Sequence, residues 1–195
     1  MTFPSTTRFC HPWRPYQERV LRELESHLED RHFHLVAAPG SGKTALGLEI
    51  VRRLDQPALI LAPTRAIRDQ WVRRFLDLFL QSAVPPDWIS TDLDRLGVLN
   101  VATYQALHAA CRGSSSAQVA RTLREAGIAV LVLDEAHHLR SQWWNCLIQV
   151  KEQLEQPSPF SCRNAPRNSP ARSCGPWGWG RSGSQPFTGA GPKCC

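Results

Sequence analysis

Ala37-Ala38-Pro39-Gly40-Ser41-Gly42-Lys43-Thr44 decides how this 195-residue chain is built. A short apolar run at residues 34–38 leads into it. Residues 42–54 follow, with Leu46, Ile50 and Leu54 on one helical face. A strand that ends in a glycine-rich turn and restarts as a helix is suited to holding phosphate. Gly40 and Gly42 let the backbone around Pro39 and Ser41 curl until successive N–H groups face one phosphate. Lys43 then reaches the outer phosphate oxygens, and the Thr44 hydroxyl meets magnesium. The strict pattern asks for glycine where Ala37 stands, and the alternative is a tight turn with an exposed lysine.

Further along, the apolar run Val130-Leu131-Val132-Leu133 delivers Asp134-Glu135-Ala136-His137. Two acids at a strand end supply what the first motif lacks. Asp134 holds the magnesium through water, and Glu135 orients and deprotonates the attacking water. Alone, this pattern also fits any strand that emerges at a surface. In combination the two motifs point to one site for a nucleoside triphosphate with its metal, with Lys43, Asp134 and Glu135 as the catalytic set.

Around them, helical periodicity alternates with short apolar runs. Helices are predicted at residues 16–29, 42–54, 65–80, 104–111, 117–126 and 143–154. Strands are predicted at 34–38, 58–62, 88–90, 98–103 and 128–133. Strands separated by helices imply right-handed crossovers and a mainly parallel sheet covered on both faces. The fold class is therefore α/β. Ligands in such sheets collect at the carboxyl ends of strands, where both motifs fall.

Composition narrows the reading. The formal charge of +6 suggests nucleic acid, yet Arg163, Arg167, Arg172, Arg181 and Lys193 supply five of it. Residues 1–156 carry 18 basic and 17 acidic side chains, so bulk charge argues for no partner. Residues 157–195 contain no Asp or Glu and are rich in Pro, Gly, Ser and Cys, which predicts a disordered tail. The expected organisation is a leading segment at 1–12, a domain at 13–156 and the tail at 157–195. The seven cysteines lack paired metal-ligand spacing. Neither a signal peptide nor a membrane-length apolar run is present, so a cytoplasmic protein without membrane contact is expected.

Five segments, in order, resemble the N-terminal RecA-like domain of a superfamily 2 DEAD/DEAH-box helicase, of the kind related to type III restriction-enzyme motor subunits. Asp134-Glu135-Ala136-His137 matches the DEAH box, and residues 37–44 match the family's looser P-loop, or Walker A, motif. Arg14-Pro15-Tyr16-Gln17 resembles the adenine-reading motif. Ala62-Pro63-Thr64-Arg65 with Gln70-Trp71 resembles a motif that lies along a nucleic-acid strand, and Val101-Ala102-Thr103-Tyr104-Gln105 a later strand-contact motif. The resemblance covers about residues 13–155. It implies ATP and Mg2+ as cofactors, Gln17 on the adenine edge, and Thr64, Arg65 and Thr103 on a strand, DNA being preferred. It also implies that His137 couples the two sites. Thr64 and Thr103 are equally read as helix caps. His137 and His138 keep a metal-ligand alternative, and Trp143-Trp144 reads as packing or a partner surface.

The family's next motif, a Ser/Thr-Ala-Thr-Pro stretch, and a second RecA-like domain are not evident after Gln156. Reading the codons of residues 161–167 one nucleotide out admits Leu-Ala-Ala-Thr-Pro-Pro. The expectation is a truncated or frameshifted tail and a chain that does not turn over alone. Two other readings stay open: an inactive nucleotide- or nucleic-acid-binding fragment, and another type of P-loop ATPase. Oligomeric state has no signal in the sequence.

Overall fold

The run Pro57-Ala58-Leu59-Ile60-Leu61-Ala62-Pro63 has no charge and a proline at each end, so it can only be a short buried strand. In the computed structural model it is β1, Ala58–Ala62, and all five of its residues are buried. The structure describes residues 2–25, 35, 40–136, 139 and 141–155. The chain divides into two units, Met1–Pro157 and Ser158–Cys195, and all described residues lie in the first.

The other strands are β2 (Ile89–Ser90), β3 (Leu99–Thr103) and β4 (Val130–Leu133). All described pairings are parallel, in the order β2-β3-β1-β4. The helices are α1 (Pro15–Glu25), α2 (Lys43–Leu54), α3 (Arg65–Phe75), α4 (Tyr104–Gly113), α5 (Ser116–Glu125) and α6 (Ser141–Glu155). Of the strand predicted at residues 34–38, only Leu35 falls within the described residues, and it is not in a strand.

Side chains of β1 alternate between two cores, as the two-residue period of a strand requires. Ala58, Ile60 and Ala62 join Leu48 and Val51 of α2 and Trp71 and Phe75 of α3. Leu59 and Leu61 face the other way, onto Leu107, Leu123 and Leu147 of α4, α5 and α6. This double coverage makes β1 and β3 apolar on both sides, and it fits a parallel sheet. The only polar side chain that β3 buries in mid-strand, Asn100, is satisfied. Its amide nitrogen donates to the carbonyls of Ala58 and Gly97 at 3.0 and 2.9 Å, and its oxygen accepts from the Gly97 N–H at 2.7 Å.

Two expectations need correction. The helix predicted at 65–80 is α-helical only to Phe75 and continues as a π-helical segment, Leu76–Leu80, before Gln81 ends it at φ +51°. Phe75 and Phe79 stack there with centroids 5.1 Å apart, so the wider turn keeps both rings in the core. The predicted stripe of α2 was also too narrow. Leu46, Leu48, Glu49 and Val51 are buried, whereas Ile50 and Leu54 are only partly covered. α2 is covered on more than one side, by the sheet core and by α1, to which Arg53 is tied through the Leu21 carbonyl at 3.4 Å.

Candidate functional site

Register brings three positions level at the carboxyl edge of the sheet. Ala62 pairs with Thr103, and Leu61 with Leu133, so Asp134 follows β4 at the height of Ala62. Asp134 is then held at three points. Its N–H donates to the Leu61 carbonyl at 3.0 Å, its own carbonyl accepts from the Tyr104 hydroxyl at 3.0 Å, and its Oδ2 accepts from the Trp71 indole N–H at 2.8 Å. Burial first, then the charges of Asp134 and Glu135, push the Tyr104 phenol above its ordinary pKa, so it stays a donor. Glu135 is exposed, and its backbone lies in the left-handed region at φ +52°. That conformation is uncommon for a side chain such as glutamate and marks stored strain.

The glycine-rich turn has the backbone that its sequence requires. Gly40 and Gly42 adopt φ of +73° and +87°, and a Cβ on Gly42 would lie 2.7 Å from Gln17 Nε2. α2 opens at Lys43 without a side-chain cap on its first turn. Thr44 is next, half-buried. Gln17, 6% exposed, accepts from the Arg14 N–H at 3.0 Å and donates to the Ser41 carbonyl at 3.3 Å. Its amide therefore braces the turn and closes the start of α1, which is more than an adenine reader alone would do. The buried Ser41 Oγ and Tyr16 hydroxyl have no hydrogen-bond partner among the described residues.

These features suit a polyphosphate with a magnesium ion. Uncapped helix amides and a lysine answer anionic oxygens, orphaned hydroxyls await an acceptor, and Thr44 and Asp134 offer hard oxygen ligands. Pro39 and His137 lie outside the described residues. Among the described residues no group of three His, Cys, Asp or Glu side chains is placed to hold a metal, and no helix is long and apolar enough to cross a membrane.

The two motifs are physically joined by Trp71. One edge of its indole holds Asp134, and at the other edge Cη2 lies 2.9 Å from where a Cβ on Gly47 would be. Gly47 is one turn beyond Lys43 on α2. α2 also packs against β4 and α3.

The strand-contact candidates stand on the same edge. Thr64 caps α3 by accepting from the Ile67 N–H at 3.2 Å, and Thr103 caps α4 by accepting from the Ala106 N–H at 3.1 Å. Thr64 and Arg65 are exposed, whereas Thr103 is 5% exposed. Trp143 packs on the α4–α6 core, and its neighbour Trp144 is 44% exposed. Sequence reasoning treated both Trp71 and Tyr104 as parts of strand-contact motifs. A buried indole or phenol needs a polar partner, and that was the available signal.

The family model described as "Type III restriction enzyme, res subunit" matches residues 11–158. A frog virus 3 (isolate Goorha) protein named "Putative helicase 055L" is 38% identical over 87 residues, 41% of this chain and 20% of its own length. "Putative ATP-dependent RNA helicase QP509L" of African swine fever virus (strain Badajoz 1971 Vero-adapted) is 28% identical over 142 residues, 65% of this chain and 24% of its own. The Drosophila melanogaster "General transcription and DNA repair factor IIH helicase/translocase subunit XPB" is 26% identical over 142 residues, 70% of this chain and 18% of its own. The chain thus spans a quarter or less of the length of each of these three relatives.

Proposed function

This chain belongs to the family of type III restriction enzyme res subunits, as an N-terminal superfamily 2 helicase domain, and from that membership we propose that it is the ATP-binding first motor domain of a nucleic-acid translocase. The observation that carries the reading is the shared indole: the phosphate-loop helix and Asp134 touch opposite edges of Trp71. The amides of Gly40, Ser41 and Gly42 and the ammonium of Lys43 receive the phosphates, and Pro39 belongs to the same binding stretch by sequence. The Thr44 hydroxyl and Asp134 carboxylate hold Mg2+, which when bound offsets charge on the outer phosphate oxygens. Gln17 contacts the adenine edge. Glu135, exposed beside Asp134, takes the proton of the attacking water.

Thr64 and Arg65, at the exposed start of α3, meet the strand. Thr103 contributes through the helix terminus it caps, since its hydroxyl is largely buried. His137 links the two ligands. DNA is the preferred strand. The matched residues supply one motor domain. Fast turnover requires a second, whose arginine is worth roughly 10³-fold or more.

Nucleotide-dependent fluorescence and phosphate release, with and without single-stranded DNA or RNA, test the proposal. Binding of ATP in Mg2+ that is clearly weakened in Lys43→Ala is the expected result. Wild-type and Lys43→Ala chains that bind nucleotide alike would sink it. A larger response to RNA than to DNA would overturn the strand preference alone.

A further inference from the structure

Trp71 lies in the middle of α3 and is 5% exposed, on a face that is otherwise apolar. A smaller apolar ring would serve packing alone, as Phe75 does one turn later. The indole adds an N–H. A buried N–H must find an acceptor, and this one takes the Asp134 carboxylate at 2.8 Å, 63 residues away in sequence. The bond is made to Oδ2 and restrains the carboxylate from one side.

The far edge of the ring is constrained as firmly. Any Cβ at position 47 would approach Cη2 to 2.9 Å, closer than real Cβ contacts allow, so glycine there is what lets the ring seat on α2. The indole therefore spans from the helix carrying Lys43 and Thr44 to the side chain at the end of β4.

We propose that Trp71 is a positioning residue for the nucleotide–metal complex: its indole, seated on Gly47, sets the orientation of Asp134 and its spacing from the phosphate-loop helix. This role rests on the ATP reading above and extends it to a residue that touches neither phosphate nor metal.

Two titrations of the whole chain with N-methylanthraniloyl-ATP, one in EDTA and one in Mg2+, provide the test. The wild type binds more tightly in Mg2+, and the ratio of the two affinities is the metal gain. Trp71→Phe keeps a smaller ring and removes both the N–H and the Cη2 edge that seats on Gly47. Affinity in EDTA is expected to stay within about twofold, while the metal gain falls roughly tenfold, as for a lost hydrogen bond to a charged group. Gly47→Ala displaces the ring from its other edge and lowers the same ratio. Equal losses in both buffers would reduce Trp71 to packing, and an unchanged gain would leave its N–H without a role; either result overturns the proposal.

Should Trp71→Phe fail to fold, the wild type labelled with 15N-tryptophan decides. One of the seven indole N–H signals shifts in Asp134→Asn, and that same signal shifts when Mg2+ and nucleotide are added together. No shared signal overturns the role. A wild type that binds nucleotide in neither buffer overturns the ATP reading and this one with it. Binding with an unaltered gain overturns only the positioning role.

Discussion

α2 and α3 are packed neighbours of 12 and 11 residues that meet the same difficulty in opposite ways. Every helix starts with about four backbone N–H groups lacking an internal partner. α3 closes its start with Thr64, as α4 does with Thr103 and α5 with Ser115. α2 begins at Gly42, which has no side chain to offer and a left-handed backbone that no capping residue would adopt comfortably. These three starts carry a side-chain cap, as α1 does through Gln17, whereas among the described residues α2 has none. That contrast supports the proposed anion site better than net charge does.

The contrast can be broken most strongly at Lys43. Lys43→Ala is expected to weaken MgATP binding by about 10–100-fold, as for loss of a charge-assisted bond, without lowering the unfolding midpoint. Thr64→Ala should do the reverse at α3, leaving nucleotide affinity alone. If both variants lose nucleotide equally, the two helix starts are not different in kind. Gly42→Ala comes next. It forces an alanine into φ +87° and drives its methyl toward Gln17, costing about 1–2 kcal/mol of backbone strain in denaturant unfolding.

Thr64→Ala and Thr103→Ala each cost about 1 kcal/mol as lost caps, Thr103 the more because it is buried. Equal melting of wild type and both variants would show that the caps are ornamental. The smallest effect lies along α2 itself, between its open start and its ion-paired second half. Burial raises the Glu49 pKa, but hydrogen bonds and charge from Arg52 and Arg53 outweigh it and hold the carboxyl below its ordinary value. The folded pKa is thus lower than the unfolded one of about 4.3. The pair contributes fully above that value, and its contribution is lost as pH falls through the folded pKa. Acid unfolding of Glu49→Gln should therefore converge on that of wild type at low pH, and a constant gap across pH would contradict the assignment.

Much of this was legible because local chemistry left few choices. The prolines at 57 and 63 fixed β1 to the residue, and the glycine-rich turn fixed where α2 begins. The π-helical turn at Leu76–Leu80 was not legible, since Trp71, Phe75 and Phe79 show the same spacing in either helix type. The burial of α2 was misjudged because only the stripe of Leu46, Ile50 and Leu54 was read, although Arg52 and Arg53 at i+3 and i+4 from Glu49 signalled a paired and buried carboxylate. The link from Trp71 to Asp134 depends on the sheet register, which no spacing in the sequence encodes. Gly47 was a clue in plain view: a glycine inside a helix costs about 1 kcal/mol relative to alanine and calls for a neighbour pressed against it.

Glu135 holds an uneasy backbone at φ +52°, which glycine or asparagine would occupy with less strain. Heat-based selection on this chain would therefore favour replacing it, trading the proposed proton acceptor for a calmer fold. A library screened only for thermal robustness would drift toward a sturdier chain without that carboxylate, so position 135 should be held fixed in any stabilisation effort.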